Sequence, residues 1–549
     1  MSRDRRWWHV DPAGLLVAAV VAVLALGPGL LPRDGVTQGV VSGVVAALGY
    51  GLGTAVSGLA RLGGVRPRRR FGAWLPVAVL GVLVAAFAVA AGGQQRAAAL
   101  IGAPPPSNAA FLLGVPVTVA VVALLVAAAR GLRRLTHLLR HRLPGPAAVG
   151  VVALATLVVA GVATSVALTV TEAAFRARND EPGVSGGPPE RATRSGSPTS
   201  LVGWDTLGRD GRRFVAGGRP AEQLAAAAGR APRDPVRVYV GLESAPDPSA
   251  RAALAVAELD RAGAFDRSVL ALVTPTGSGS VDPPIPDALE LVRGGDTAVA
   301  AVQYSTLPSD LSFLIDGPEA RASTAALLDA VRARLAQSPP DRRPRLLVFG
   351  QSLGSLGSQA AFASLDDVRA RADGVLWVGP PHGSEPWTGL VARRDPGSPE
   401  VLPVVDGGRA VRFAGRAADL AGGPSRESWE SWESWESWES WESWESWEQP
   451  RVLYLQHPSD PVVWWSPGLL WRRPDRFSEP AGSDVPPGQH WYPVITFWQT
   501  TVDLARAQSL TPDHGHRYDT LLVDGWAAVA PQPGWTAADT DRARQVFGG

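Results

Sequence analysis

The distribution of hydrophobic positions divides this chain into two parts. The first 172 residues contain five apolar stretches without a charged side chain, each about 19–25 residues long: 13–31, 39–59, 72–92, 109–129 and 146–170. A helix of that length crosses the ~30 Å hydrocarbon core of a bilayer. Five such stretches in succession favour an all-α membrane domain of about five transmembrane helices over a set of buried helices in a soluble protein.

Arginines predict how this domain is oriented. They cluster at the N-terminus and in the second and fourth loops, at 3–6, 61–70 and 130–142, whereas the first and third loops carry only Arg33 and Arg96. Loops rich in arginine stay on the cytoplasmic side of a membrane. The pattern predicts a multi-pass protein with a cytoplasmic N-terminus and with its C-terminal part outside the cytoplasm.

Beyond residue 172 the pattern changes. Residues 173–200 are rich in proline, glycine and serine and predict a linker. In residues 201–549, short β-like runs alternate with helical segments; these runs are 236–242, 268–273, 298–304, 346–350, 374–378 and 451–456. That alternation predicts an α/β domain built on a mostly parallel sheet.

One β-like run leads into a candidate nucleophile. It continues into Gly350-x-Ser352-x-Gly354 and a helix-compatible segment. A serine is a weak nucleophile unless a sharp turn presents it beside a base, and a Cβ at either glycine would crowd that turn. A second match surrounds Ser185, but it lies in the linker without a strand before it, so we interpret Ser185 as a linker residue.

The candidate acid and base follow the serine in the chain order nucleophile, acid, histidine. Asp460 comes directly after the last β-like run, and His514 and His516 lie in a later loop. Histidine takes the serine proton, and a carboxylate orients the ring. We favour His516, with His514 as the alternate. Two competing interpretations remain. Asp460 could be an ordinary turn residue, and the two histidines could be a metal pair, although no third ligand is evident.

Backbone N–H groups are the predicted donors to the substrate oxyanion. One belongs to Leu353, directly after the nucleophile. The other comes from the glycine-rich loop 274–279, where Thr276, Gly277 and Ser278 are the candidates. The alternative for this loop is a plain glycine-rich turn.

Composition narrows the remaining function classes. The chain has no cysteine, which excludes disulfides and thiol catalysis, and its formal net charge is +1. No basic patch interleaved with aromatic residues is present, so nucleic acid is not an expected partner. No metal or organic cofactor is implied, and the sequence does not indicate an oligomeric state.

Residues 428–448 are seven copies of Ser-Trp-Glu. A period of three drifts against the 3.6-residue helical turn, so the tryptophans form no fixed stripe. The repeat predicts a solvated, low-complexity loop. The alternative is a tryptophan-rich tether at the lipid interface.

Several blocks of the chain resemble a bacterial family of membrane-anchored α/β-hydrolases. The blocks are 237–245, 274–277 with 281–283, 350–355, 454–465 and 514–518, and the resemblance includes the multi-span N-terminal domain. It implies an α/β-hydrolase fold with a Ser352, Asp460 and His516 triad, and no particular substrate.

Together these features predict a membrane-anchored serine hydrolase that acts on an ester or lipid-like substrate outside the cytoplasm. Two alternatives remain open. One is an acyltransferase that uses the same triad. The other is a non-catalytic membrane assembly or transport accessory with a hydrolase-like binding domain.

Overall fold

The computed structural model describes residues 10–64, 74–184, 187–309, 312, 315–422 and 446–548. Ser185 and most of the Ser-Trp-Glu repeat, residues 428–445, lie outside these ranges. Chain contacts define two compact units. The helical unit comprises residues 1–166 and 465–511, and the α/β unit comprises residues 167–464 and 512–549.

The described helices and strands follow the predicted change from helical to mixed structure. The helices are α1 Pro12–Leu24, α2 Gly35–Leu62, α3 Trp74–Leu100, α4 Asn108–Leu112, α5 Gly114–Leu139, α6 Gly145–Asn179, α7 Gly208–Ala216, α8 Ala221–Ala228, α9 Pro248–Arg261, α10 Pro284–Arg293, α11 Gly317–Leu335, α12 Leu353–Gln359, α13 Leu365–Arg371, α14 Trp387–Ala392, α15 Ala417–Gly422, α16 Pro461–Trp464, α17 Ile495–Leu504, α18 Leu521–Val529 and α19 Ala537–Gly548. The strands are β1 Val236–Val240, β2 Val269–Thr274, β3 Thr297–Val302, β4 Arg345–Gln351, β5 Gly374–Val378, β6 Val411–Ala414 and β7 Arg451–Leu455.

Four helices in the described residues, rather than the predicted five or so, are long and apolar enough to cross a membrane. They are α2, α3, α6 and the stretch from α4 through α5. The first predicted span, 13–31, is helical only in α1. Gly27, Pro28 and Gly29 follow α1 closely, and this sequence does not continue a helix. The 13 residues of α1 span only about 20 Å at 1.5 Å per residue.

Helix α1 lies antiparallel to α2. At one end, the Asp11 carboxylate accepts hydrogen bonds from Ser57 and Arg61. At the other end, the Gln38 amide donates to the carbonyl of Ala25. Polar contacts at both ends therefore fix the register of an otherwise apolar helix pair.

The helical unit contains a segment that the sequence assigned to the 201–549 domain. Residues 465–511 belong to it, and Ile495 at the start of α17 packs with Ala25, Val41 and Val45. The Arg33 guanidinium donates to both oxygens of Asp503, at 2.8 Å each. Both side chains are almost completely buried. Pairing and hydrogen bonding make these buried charges tolerable, because an isolated charge there would be very costly.

We predict that Asp503→Ala destabilises the helical unit by about 3–5 kcal/mol, because it leaves the Arg33 guanidinium buried without its counter-charge. Thermal unfolding in detergent measures the effect. The matched control is Arg506→Ala, which breaks a more exposed ion pair with Asp34 in the same unit and should cost less than about 1 kcal/mol. Equal losses for the two variants would contradict the prediction, and the Arg33→Ala/Asp503→Ala double variant should recover part of the loss.

The α/β unit is built on one parallel sheet of seven described strands, in the order β1-β3-β2-β4-β5-β7-β6. Strand β6 at one edge was not predicted. Its four residues include Arg412, so it gives only a weak β signal. The nucleophile strand β4 lies in the middle of the order, between β2 and β5. The carboxyl ends of parallel strands meet at one rim, where such sheets bind ligands.

The predicted linker, 173–200, has ordered structure in both halves. Helix α6 continues to Asn179. Further along, Ser195 donates its N–H to the Arg237 carbonyl, and Arg237 returns its N–H to Thr193. The Glu258 carboxylate accepts the hydroxyls of Ser195 and Ser200. These bonds fix the second half along the outer edge of β1.

Candidate active site

The candidate nucleophile lies at the centre of the sheet, on the turn between β4 and α12. Ser352 has φ 55° and ψ −126°, a strained backbone conformation for a residue with a side chain. A Cβ on Gly354 would lie 2.2 Å from the carbonyl oxygen of Thr274, and one on Gly350 would lie 2.4 Å from the carbonyl oxygen of Gly354. The two glycines therefore permit the close approach of backbone that the sequence predicted.

The candidate acid and base are in direct contact. Asp460 lies in the loop after β7, and His516 lies in the loop before α18. His516 Nδ1 is 2.7 Å from Asp460 Oδ2, and both residues are buried. Because a carboxylate accepts and does not donate, Nδ1 carries the proton of the neutral ring. Nε2 is then the basic nitrogen, and within the described residues it has no hydrogen-bond partner.

The geometry favours His516 over His514, because the ring that contacts the Asp460 carboxylate is that of His516. The other oxygen of Asp460 accepts the N–H of Val462 at 2.9 Å. Within the described part of the chain, no group of three or more histidine and acidic side chains is arranged to hold a metal ion.

A glycine that the sequence analysis missed connects the nucleophile turn with the acid–base pair. The carbonyl of Val378, the last residue of β5, accepts the N–H of Ser352 at 2.9 Å. The next residue is Gly379, with φ 51°, where a Cβ would lie 2.6 Å from His516 Cε1 and 3.0 Å from Asp460 Oδ2. The end of β5 therefore contacts all three candidate residues. A glycine directly after the strand beside the nucleophile strand was the available sequence signal.

The loop after β2 lies against the nucleophile turn, as the Thr274 contact shows. Among its three candidate oxyanion donors, Thr276 already donates its N–H to the carbonyl of Ser280 at 2.9 Å. Gly277 and Ser278 remain as the candidates from this loop. Leu353 is the first residue of α12, where a helix leaves its N–H groups without intrahelical acceptors.

Two buried tyrosines flank this loop. The Tyr239 hydroxyl donates to the carbonyl of Gly279 at 2.7 Å, and the Tyr304 side chain packs against Leu353. Burial raises the pKa of both phenols above the ordinary value, so both stay neutral at physiological pH. The charged group that contacts the loop here is the Asp210 carboxylate, which accepts the Ser278 hydroxyl at 2.6 Å.

Comparison with known proteins agrees with this architecture. A model described as the alpha/beta-hydrolase family matches residues 236–543, more than half of the chain. A second model, described as the N-terminus of the alpha/beta-hydrolase family, matches residues 26–219. The chain belongs to the α/β-hydrolase family. No curated protein and no solved structure matches it.

In an α/β-hydrolase the chain order is nucleophile, acid, histidine, and the serine lies on a strand-to-helix turn. Ser352, Asp460 and His516 follow this order. Within the described residues, the candidate histidine follows a helix and loop rather than a further strand of the sheet.

We predict that Gly379→Ala lowers hydrolytic activity by about 10²-fold, because the new Cβ displaces the His516–Asp460 pair from the strand end that binds the Ser352 N–H. The rate of turnover of a model hydrolase substrate at saturating concentration measures the effect. Gly397→Ala is the control, since Gly397 also has a positive φ but has open space around it. That variant carries only backbone strain of about 1–2 kcal/mol. Similar activity in the two variants would show that crowding at Gly379 is unimportant.

Proposed function

We propose that this α/β-hydrolase is a membrane-anchored serine hydrolase of the esterase or lipase type. The observation that carries the proposal is the 2.7 Å contact between buried His516 and Asp460, adjoining the same strand end that binds the N–H of Ser352. This combination suits acyl transfer chemistry, because it supplies a nucleophile, a base and a group that orients the base.

In the proposed mechanism, the Ser352 hydroxyl oxygen attacks the ester carbonyl while His516 Nε2 takes the hydroxyl proton. Asp460 holds the ring and stabilises its charged form. The N–H of Leu353, with one from Gly277 or Ser278, stabilises the oxyanion; each such donor contributes roughly 3–4 kcal/mol in comparable sites. The ring then returns the proton to the leaving alcohol, and water releases the acyl group by the same steps.

A lipid-like ester is the proposed substrate class, because the four long apolar helices would hold the enzyme at a bilayer. An acyl acceptor other than water would make the same site an acyltransferase. A binding domain without catalysis, the remaining alternative, would not need a basic nitrogen on the ring that contacts Asp460.

Labelling with a fluorophosphonate probe tests the enzyme proposal. The wild-type protein in detergent should form a covalent adduct at Ser352, and Ser352→Ala should form none. Ser185→Ala is the control, since Ser185 occupies the other Gly-x-Ser-x-Gly match and should not affect labelling. Folded wild-type protein that does not react would support the non-catalytic alternative instead.

We also propose that the α/β unit lies outside the cytoplasm. The first predicted span is too short in its helical part. Without a crossing there, the segment before α2 lies on the outer side, which conflicts with the predicted cytoplasmic N-terminus. The side of the α/β unit does not depend on this first span. Four crossings from α2 onward, with the arginines of 61–70 and 130–142 inside, return the chain to the outer side after α6.

The absence of native cysteine allows a clean topology test with single-cysteine variants. On intact cells, a membrane-impermeant maleimide should label Pro105→Cys and Asp341→Cys, because the proposed orientation has the third loop and the α/β unit outside. His141→Cys should react only after permeabilisation. Labelling of Asp341→Cys that also requires permeabilisation would overturn the proposed side.

A further inference from the structure

The loops that carry the candidate acid and base are fastened to each other by contacts that do not involve the catalytic atoms. Gly515 donates its N–H to the Ser459 hydroxyl at 3.0 Å. The Gly515 carbonyl lies 2.8 Å from His457 Nδ1. Because a carbonyl only accepts, His457 donates here from a protonated Nδ1. His457 and Ser459, close to Asp460 in the chain, are therefore both hydrogen-bonded to Gly515, the residue before His516.

Tyr518 adds a third connection. Its ring stacks on the imidazole of His457, with centroids 4.1 Å apart and planes 5° from parallel. Its hydroxyl lies 3.0 Å from the backbone nitrogen of His457 and 2.8 Å from Asp460 Oδ2. The side chain is almost fully buried, so these are contacts in a water-poor environment.

The hydrogen-bond directions at this hydroxyl follow from its partners. The backbone N–H of His457 can only donate, so the Tyr518 oxygen accepts from it. The single hydroxyl proton is then available to Asp460, whose carboxylate can only accept. Asp460 Oδ2 therefore receives two donors, Tyr518 and His516, and Oδ1 receives the Val462 N–H.

We propose that Tyr518 is a positioning residue for the hydrolytic reaction, acting through Asp460; this inference rests on the proposed function. Three donors from separate directions fix the plane of the Asp460 carboxylate, and that plane sets the direction of the His516 ring. Without the Tyr518 hydroxyl, the carboxylate can turn about its last bond, and the ring loses its alignment toward the Ser352 proton. Hydrogen bonds to charged groups are strong enough for one donor to matter in this way.

The test is Tyr518→Phe, which removes one oxygen and keeps the aromatic ring stacked on His457. With p-nitrophenyl butyrate as substrate, kcat should fall about tenfold while KM changes by less than about twofold, because the lost contact orients the base and does not bind substrate. The rate of fluorophosphonate labelling at Ser352 should fall in parallel.

Tyr454→Phe is the matched control. Tyr454 is also fully buried, and its hydroxyl makes one hydrogen bond, to Gln359 at 2.8 Å, rather than to Asp460. Burial raises the pKa of Tyr454 well above the ordinary value, so this control side chain is a neutral phenol. A general cost of deleting a buried hydroxyl would appear in both variants as lowered thermal stability. Only Tyr518→Phe should lose kcat.

A double variant separates positioning from general destabilisation. In an Asp460→Asn background, where the carboxylate is already lost, Tyr518→Phe should change the labelling rate by less than about twofold. An undiminished tenfold effect in that background would show that Tyr518 does not act through Asp460. Equal kcat in wild-type protein and Tyr518→Phe would overturn the positioning role alone. A wild-type protein that reacts with neither probe would overturn the proposed function and this role with it.

Discussion

A carboxylate removed from water must have its oxygens satisfied, and the candidate site is arranged around this requirement at Asp460. The side chain has no exposed surface, and Val462, His516 and Tyr518 all donate to it. Unsatisfied, this charge would be costly enough to change the local structure. The loops after β7 and before α18 are therefore held together by the same bonds that align the proposed base.

The sheet supplies the other half of the site. Parallel order brings the ends of β2, β4, β5 and β7 to one rim, so residues distant in sequence become neighbours. Ser352 occupies a strained turn there, and the close backbone approach at Gly350 and Gly354 holds the turn in place. Strain of this kind persists only when the surrounding structure over-determines it. The sheet thus holds the strained turn that carries the candidate nucleophile.

Much of this fold could be predicted because its signals are local. Six of the seven described strands are short apolar runs that can be recognised in the sequence. The Ser352 turn can also be recognised, because its glycines and serine are close together in the chain. Strand β6 was not predicted because it is four residues long and is stabilised by pairing with β7. The length of the first apolar stretch overestimated the length of α1, because hydropathy does not register that the helix ends near Gly27, Pro28 and Gly29.

The contacts that could not be predicted join residues far apart in the chain. Gly379 matters only because His516 and Asp460 pack against it, and Tyr518 matters only through the carboxylate. Residues 465–511 are a similar case. Gln499 and Asp503 look like ordinary polar positions on α17 until Ala25 and Arg33 are placed opposite them.

The buried aspartates Asp503 and Asp460 differ in the side chains that they pair with, and this difference decides whether the pair can exchange a proton. Asp503 faces Arg33, whose guanidinium is always protonated and donates to both oxygens, so the pair is neutral overall and has no proton to exchange. Asp460 faces a phenol and an imidazole instead. In the proposed mechanism, the phenol and a neutral ring do not compensate the carboxylate charge, and this charge would stabilise the ring when it accepts a proton. A permanent cation at His516 would satisfy the carboxylate equally well and would remove the base. The same burial therefore suits packing in the helical unit and the proposed proton transfer in the α/β unit, according to whether the partner of the aspartate can change its charge.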